Sequence, residues 1–465
     1  MNDDASMMGE PGAGPDARRA LLEKLMARRG LKGPPGTIEP RHDRSDAPLS
    51  YAQERLWFLQ QLDPGSPAYN VTFVADFDRE VNEDVVRRAL NEIVRRNEIL
   101  RARYRNVDGK PVQEILPEFD WPFEFVDISD LPEADREGRL KELSDANART
   151  AFDLAAGPPI RAKLIKLAES AYTALIGMHH IVIDAFSLDI LFSEFDQISD
   201  AFLKGMPSPL PELVVQYPDY ASWQRRTLEA GGLEQHLGYW VERIAGAEDL
   251  EIPTDRPRPP HPTMKGGTLG FRMRDETAAA LRRLSQSAHA TIFMTALAAF
   301  QVLLHRYTGQ NDIMVGAPVA NRERPDVQGL IGFFVNTVAI RSHIEGHLTF
   351  REALDHVRSV SLEALEHQDL PFEKLVERLA PKRAFGRNPL VDVLFSSQTM
   401  APPKLLDLGG GGARMRGGSS DLAVRFDLEV TVVPQADSIH VSFTYSTDLF
   451  DAATMRRMLG HYERL

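Results

Sequence analysis

Cysteine is absent from all 465 residues, which excludes disulfides, thiolate nucleophiles and cysteine-ligated zinc. No apolar run approaches the ~18–20 residues that a membrane-spanning helix requires, so no membrane partner is expected. The opening stretch, MNDDASMMGEPGAGPD, is acidic and polar and lacks the basic and apolar regions of a secretion signal. Positive charge is also in short supply. Lys and Arg number 54 against 67 Asp and Glu, a formal net charge of −13 that argues against nucleic acid as the main partner. A cytoplasmic monomer is the simplest expectation. What is present looks globular: 43 % of residues are hydrophobic and 26 % charged. The chain is too long for one ordinary core and fits two lobes of roughly 200 residues each.

Residues 1–46 read as a tail with one helical island, ARRALLEKLMARRG, for which Asp16 is a plausible N-cap and Gly30 a stop. Over the island, residues 17–30, five cations, Arg18, Arg19, Lys24, Arg28 and Arg29, stand against a single Glu23, within the 16–30 segment that Asp16 would cap. The segment is either a solvated helix leading into the fold or a docking helix for an acidic partner. A first lobe is expected over 47–250 and a second over 251–465, with elements of the second crossing to the first. Between them LEIPTDRPRPPHPT carries five prolines and cannot continue a helix or a central strand.

Periodicity places mixed α/β structure in both halves. NEDVVRRALNEIVRR has Val85, Val86, Ala89, Leu90, Ile93 and Val94 at helical spacing, with Asn82 as cap. Helices are also expected near Glu137–Ala151, over Leu188–Leu203, in ATIFMTALAAFQVLLHRYT up to Gly309, and in FREALDHVRSVSLEALEHQ. DIMVGAPVA reads as a strand, and FDLEVTVVPQADSIHVSFTYS as two alternating runs around a polar turn, a hairpin. The glycine-rich LDLGGGGARMRGGSS lacks the Gly-Lys-Ser/Thr ending of a phosphate loop and reads as a surface loop.

The chemistry concentrates in MHHIVIDAFS, Met178–Ser187, after the apolar run from Tyr172 to Gly177. Neighbouring strand residues point to opposite faces, so His179 and His180 cannot do the same job. Asp184 stands where the chain has turned, to brace a ring or anchor the turn. A metal site would need three or four converging ligands, and no HExxH accompanies the pair, so no metal is expected. A satisfied core pair, or a base or hydrogen-bonding catalyst of acyl transfer, both remain open on the motif alone.

Around it stand LSYAQERLWFLQQLDPGSPAYN (Leu49–Asn70), RRNEILRARY (Arg95–Tyr104), YPDYASWQR (Tyr217–Arg225), GAPVANR (Gly316–Arg322), IGFFVNTVAIR (Ile331–Arg341), HQDLPFEKLV (His367–Val376) and RNPLVDVLFS (Arg387–Ser396). In that order they resemble the condensation domains of non-ribosomal peptide synthetases, from about residue 47 to the end. The first motif looks most like the subtype that condenses an L-configured donor. The resemblance implies two chloramphenicol-acetyltransferase-like lobes in a V, a pseudo-dimer with a tunnel between them. Donor and acceptor carrier proteins would bring substrates on phosphopantetheine arms, and no tightly bound cofactor is expected.

By the same resemblance the family's HHxxxDG motif falls on His179, His180 and Asp184, with His180 as the active-site histidine. Asp184 would pair with an arginine of the RHExLRT motif, here Arg96 or Arg101. Ala185, Ser187 and Asn336 would line the tunnel. Three positions depart from the family pattern: Ala185 replaces the motif glycine, Asn97 a histidine and Ala102 a threonine. Tyr220 and Trp223 are expected to be core aromatics. The implied activity is amide formation in non-ribosomal peptide or hybrid polyketide assembly. Ester formation by a free-standing enzyme and a non-catalytic recruitment module are the alternatives.

Overall fold

The computed structural model describes residues 37–231, 233–379, 387–398, 414–416, 424–435 and 438–465. The 16–30 segment and all of the glycine-rich stretch except 414–416 lie outside the described residues.

The first half runs β1 (Asp46–Pro48), α1 (Tyr51–Leu62), β2 (Asn70–Phe77), α2 (Glu83–Arg96), β3 (Ala102–Val107), β4 (Lys110–Ile115), β5 (Phe123–Asp127), α3 (Glu133–Arg149), β6 (Ile160–Ala168), β7 (Ala171–His179), α4 (Ala185–Leu203) and α5 (Tyr217–Glu229). The second runs α6 (Glu234–Ile244), β8 (Gly266–Arg272), α7 (Asp275–Ser287), α8 (Ile292–Thr308), β9 (Asp312–Val319), β10 (Asn336–His343), α9 (Phe350–Glu366), α10 (Phe372–Leu379), β11 (Val393–Ser397), β12 (Arg414–Arg416), β13 (Leu428–Pro434), β14 (Ile439–Ser446) and α11 (Ala452–Arg464).

Local chemistry explains the boundaries. Asn82 accepts the backbone N–H of Val85 and starts α2 as expected, and Gly309, at φ 71°, ends α8 in the left-handed region that favours glycine. The helix expected from Leu188 begins at Ala185, because the Asp184 side chain accepts the N–H of Ser187 and acts as N-cap. The predicted hairpin is β13–β14, with Val430 opposite Phe443.

Two main sheets carry the fold. A five-stranded sheet has the order β12-β2-β7-β6-β5, so β7 is central and its end, His179, pairs with Asn70 at the start of β2. Strand β12, from the second half, adds to the edge of this sheet beside β2. A six-stranded sheet has the order β10-β9-β11-β13-β14-β8, and a small sheet joins β1, β4 and β3.

Helices α2 and α4 cover one face of the five-stranded sheet through Leu90, Ile93, Leu191 and Ile198, all buried. Burying each such side chain contributes about 1.5–3 kcal/mol. Helices α8 and α9 cover one face of the six-stranded sheet, where Phe300 meets Phe395 and Phe443. The cores exchange segments and do not divide at residue 250. Leu233, Trp240 and Ile244 join the second core, while Val327, Leu330, Ile331 and Phe334 join the first. The halves are thus pinned together where the His motif lies. Among the described residues no single helix is long and apolar enough to cross a membrane.

Candidate active site

At the end of β7 the chain leaves the sheet through a single 3-10 turn, His180–Val182, whose first residue donates its N–H to the Tyr69 carbonyl at 2.8 Å. Ile181, Val182 and Ile183 are fully buried and hold the turn in place. The two histidines then part. His179 is 1 % exposed, its Nδ1 accepts the Ile181 N–H at 3.1 Å, and its ring lies near Tyr69 and Phe152. Burial pushes its pKa down to about 3. Expected among the catalytic residues, it instead locks the turn, away from the cavity.

His180 is half-buried, and what it exposes opens onto a cavity of about 1370 Å³ walled by both halves. Its Nδ1 lies 2.7 Å from the Ile183 carbonyl. A carbonyl only accepts, so Nδ1 carries the proton and Nε2, on the far edge of the ring, keeps its lone pair. Phe333 of the second half packs against the ring with centroids 5.1 Å apart. Desolvation first, then the positive charge of Arg425, pushes the His180 pKa down to about 4. The ring is therefore neutral at pH 7 and able to accept a proton.

Asp184 does not touch the His180 ring. Its carboxylate takes the Ser187 N–H at 2.7 Å, the Phe334 N–H at 2.9 Å and the Arg322 guanidinium at 3.2 Å. Arg322 also donates to the Val327 and Leu330 carbonyls, and its cation lies 4.0 Å over the Phe334 ring. This is a clasp between the halves, and it corrects the expectation of Arg96 or Arg101. Arg96 pairs with Glu194 of α4 at 3.0 Å, and Arg101 donates to the Leu116 and Val94 carbonyls. Asn97 fits the same helix–helix contact, donating to the Ile93 carbonyl and to Glu194.

Ser187 is also corrected. It is completely buried, bonded to both N–H and carbonyl of Gly332 and to Arg322, and is not among the described wall residues of the shared cavity. Asn336 does reach the cavity wall, but its amide is committed: it donates to the Gln368 and Leu370 carbonyls and accepts the N–H of Phe372. It braces the start of α10. Tyr220 is a core aromatic, as expected, packed at tilted ring angles against Tyr217, Trp223 and Phe334.

Ala185 sits on the cavity wall at the first position of α4 and is not among the residues with positive φ. Alanine there costs no backbone strain. Ala185→Gly is expected to lower stability by about 1 kcal/mol or less. It should change rates only for substrates that fill the space of the methyl group. Thermal unfolding beside a panel of substrates checks this; a stabilised glycine variant would contradict it.

Sequence reasoning missed Arg425. It lines the same cavity, its guanidinium carbon lies 5.3 Å from the centre of the Tyr69 ring, and its Nε is buried without a hydrogen-bond partner among the described residues. Nothing in RFDLEV marks this arginine except its place before a strand.

A family model described as a condensation domain matches residues 43–465. One of the proteins that make up the linear gramicidin synthase of Brevibacillus parabrevis is 41 % identical over 96 % of the chain. Phosphinothricin tripeptide synthetase PhsC of Streptomyces viridochromogenes is 38 % identical over 95 %. The chain spans only 6 % and 41 % of the lengths of these two relatives. Among solved structures, the teicoplanin-biosynthesis X-domain in complex with OxyB superposes with a TM-score of 0.81 at 25 % identity, covering 93 % of this chain and 96 % of that one.

Proposed function

The chain belongs to the condensation-domain family, and from that premise we propose that it joins a carrier-bound acyl or peptidyl thioester to the amine of a carrier-bound acceptor. The observation that carries this reading is the neutral His180 ring, Nδ1–H tied to Ile183, on the wall of a cavity shared by both halves. Each substrate would arrive on the phosphopantetheine arm of a carrier protein, one donor and one acceptor. The amine nitrogen attacks the thioester carbon, the C–N bond forms and the C–S bond breaks. The nitrogen's surplus proton passes to His180 Nε2 and then to the departing thiolate, which leaves as a free thiol.

An α-amine with a pKa near ~7.7–8.0 needs only about 1 kcal/mol to become neutral at pH 7. His180 therefore chiefly orients the amine and receives its hydrogen bond. Alignment of the two reactants contributes several kcal/mol. Arg425, a cation on the same wall, is the group that would meet the thioester oxygen as negative charge develops on it, a contribution of about 3 kcal/mol. A second reading follows from the teicoplanin X-domain, which has this fold and is solved bound to OxyB: a module that recruits a partner. The orientation of His180 favours catalysis.

Mass spectrometry of carrier-bound products, with amine and hydroxyl acceptors offered in parallel, tests the reading. An amide product is expected. Ester alone would reassign the acceptor, and no product from correctly loaded carriers would favour recruitment.

A further inference from the structure

The charged side chains on the cavity wall are mostly compensated in pairs. Arg55 lies against Glu373, Arg225 against Glu54, Lys374 against Glu377, and Arg387 against Glu251 and Asp392. Glu429 is different. It lies on β13 between core residues Leu428 and Val430, so its side chain points to the opposite, cavity-facing side of the sheet. Among the described residues its carboxylate makes no hydrogen bond and no ion pair.

Its neighbours across the sheet are uncharged: Leu394 on β11 and Thr444 on β14. Next along the strand, Thr431 is hydrogen-bonded to Ser396 at 3.1 Å. Immediately around Glu429 the cavity-facing side of this sheet is thus uncharged, with Leu394, Ser396, Thr431 and Thr444 about the carboxylate. Glu429 is only half-buried, and Arg425, the cation of this wall without an ion pair among the described residues, lies against the Tyr69 ring, so the carboxylate is open to a cation that a substrate brings.

Resting on the reading of the chain as a condensation enzyme, we propose that Glu429 is a specificity-determining residue that selects a substrate carrying an ammonium group, held by a charge-assisted hydrogen bond with Thr431 and Ser396 as neutral flanks. The group lies on the donor or the acceptor side chain, away from the reacting atoms. Asp189, on α4, is another carboxylate of the wall that makes no ion pair among the described residues, and burial raises its pKa. It is the internal control.

The test uses the full chain and pantetheine amides that cannot turn over, bearing ornithine, norvaline or glutamate. N-formylated compounds mimic the donor and free amines the acceptor. Calorimetric binding is expected to favour ornithine over norvaline by about 10–100-fold in one of the two series, the scale of a charge-assisted hydrogen bond. Glu429→Gln should remove the preference, Glu429→Lys should turn it towards glutamate, and Asp189→Asn should leave it unchanged. Ornithine and norvaline binding within twofold in both series would overturn the proposal, as would a preference that follows Asp189. Because binding needs no chemistry, failure here is distinct from failure of the condensation reading, which only the product assay decides.

Discussion

Replacing His180 by alanine is expected to slow amide formation about 10²-fold and ester formation on a hydroxyl acceptor about 10⁴-fold, the two ends of the range for general acid–base catalysis. The asymmetry follows from the acceptors. An amine titrates near ~7.7–8.0 and sheds its proton with little help. A hydroxyl, with a pKa near the ~15.7 of water, needs a base in the transition state. Single-turnover rates with both acceptors on the same carrier would measure it, and equal losses would contradict the orienting role.

The pH dependence has a definite sign. His180 works in its neutral form, and burial with the Arg425 charge holds its pKa near 4, below the usual 6.5. Lowering the pH therefore leaves the base intact until about pH 4, and the wild-type rate falls first as the acceptor amine protonates, near pH ~8. A limb near pH 6.5 that vanished in His180→Ala would show an ordinary histidine pKa.

Arg322→Met is expected to cost about 3–5 kcal/mol of stability, because it leaves the buried Asp184 carboxylate without its cation. Both partners are almost fully buried, at 5 % and 4 % exposure, so water cannot replace the lost charge. The same change frees the Val327 and Leu330 carbonyls and loosens Phe334, which packs in the first core although it belongs to the second half. Denaturant unfolding would read the loss. In Asp184→Asn/Arg322→Met the two losses should sum to less than the separate effects by more than about 1 kcal/mol, since the ion pair is lost only once. Strict additivity would mean that the clasp carries no energy. Arg96→Met should destabilise through Glu194 and leave the Asp184 clasp unaffected.

The sequence carried the helices and the hairpin because each is specified by a local pattern: the stripe from Val85 to Val94, the left-handed stop at Gly309, the alternation around residues 428–446. It also carried the parting of the His pair, which follows from a period of two at the end of a strand. The clasp was hidden. Asp184 and Arg322 are 138 residues apart, and Arg96, the nearer candidate, was already engaged by a carboxylate one helix away. Ser187 was misplaced for a similar reason: sitting next to a tunnel motif says nothing about which side of the helix start it occupies. Glu429 was legible only as a polar position of an alternating strand, and Arg425 only by its place before that strand. Alternation tells polar from apolar, however, and does not tell whether water or a second lobe lies opposite.

Catalysis of this kind depends on a carrier's arm reaching the His180 ring inside the shared cavity. The chain has no cysteine, so Ala185→Cys places a single thiol on the cavity wall at the start of the helix that follows the His motif. Carriers bearing a chloroacetyl-pantetheine arm, donor and acceptor in turn, can then be offered to it, with the exposed Arg457→Cys as control. Both carriers are predicted to become covalently attached at position 185 far faster than at 457. A thiol at 185 that small alkylating reagents label but neither carrier captures would contradict a reaction centred on His180.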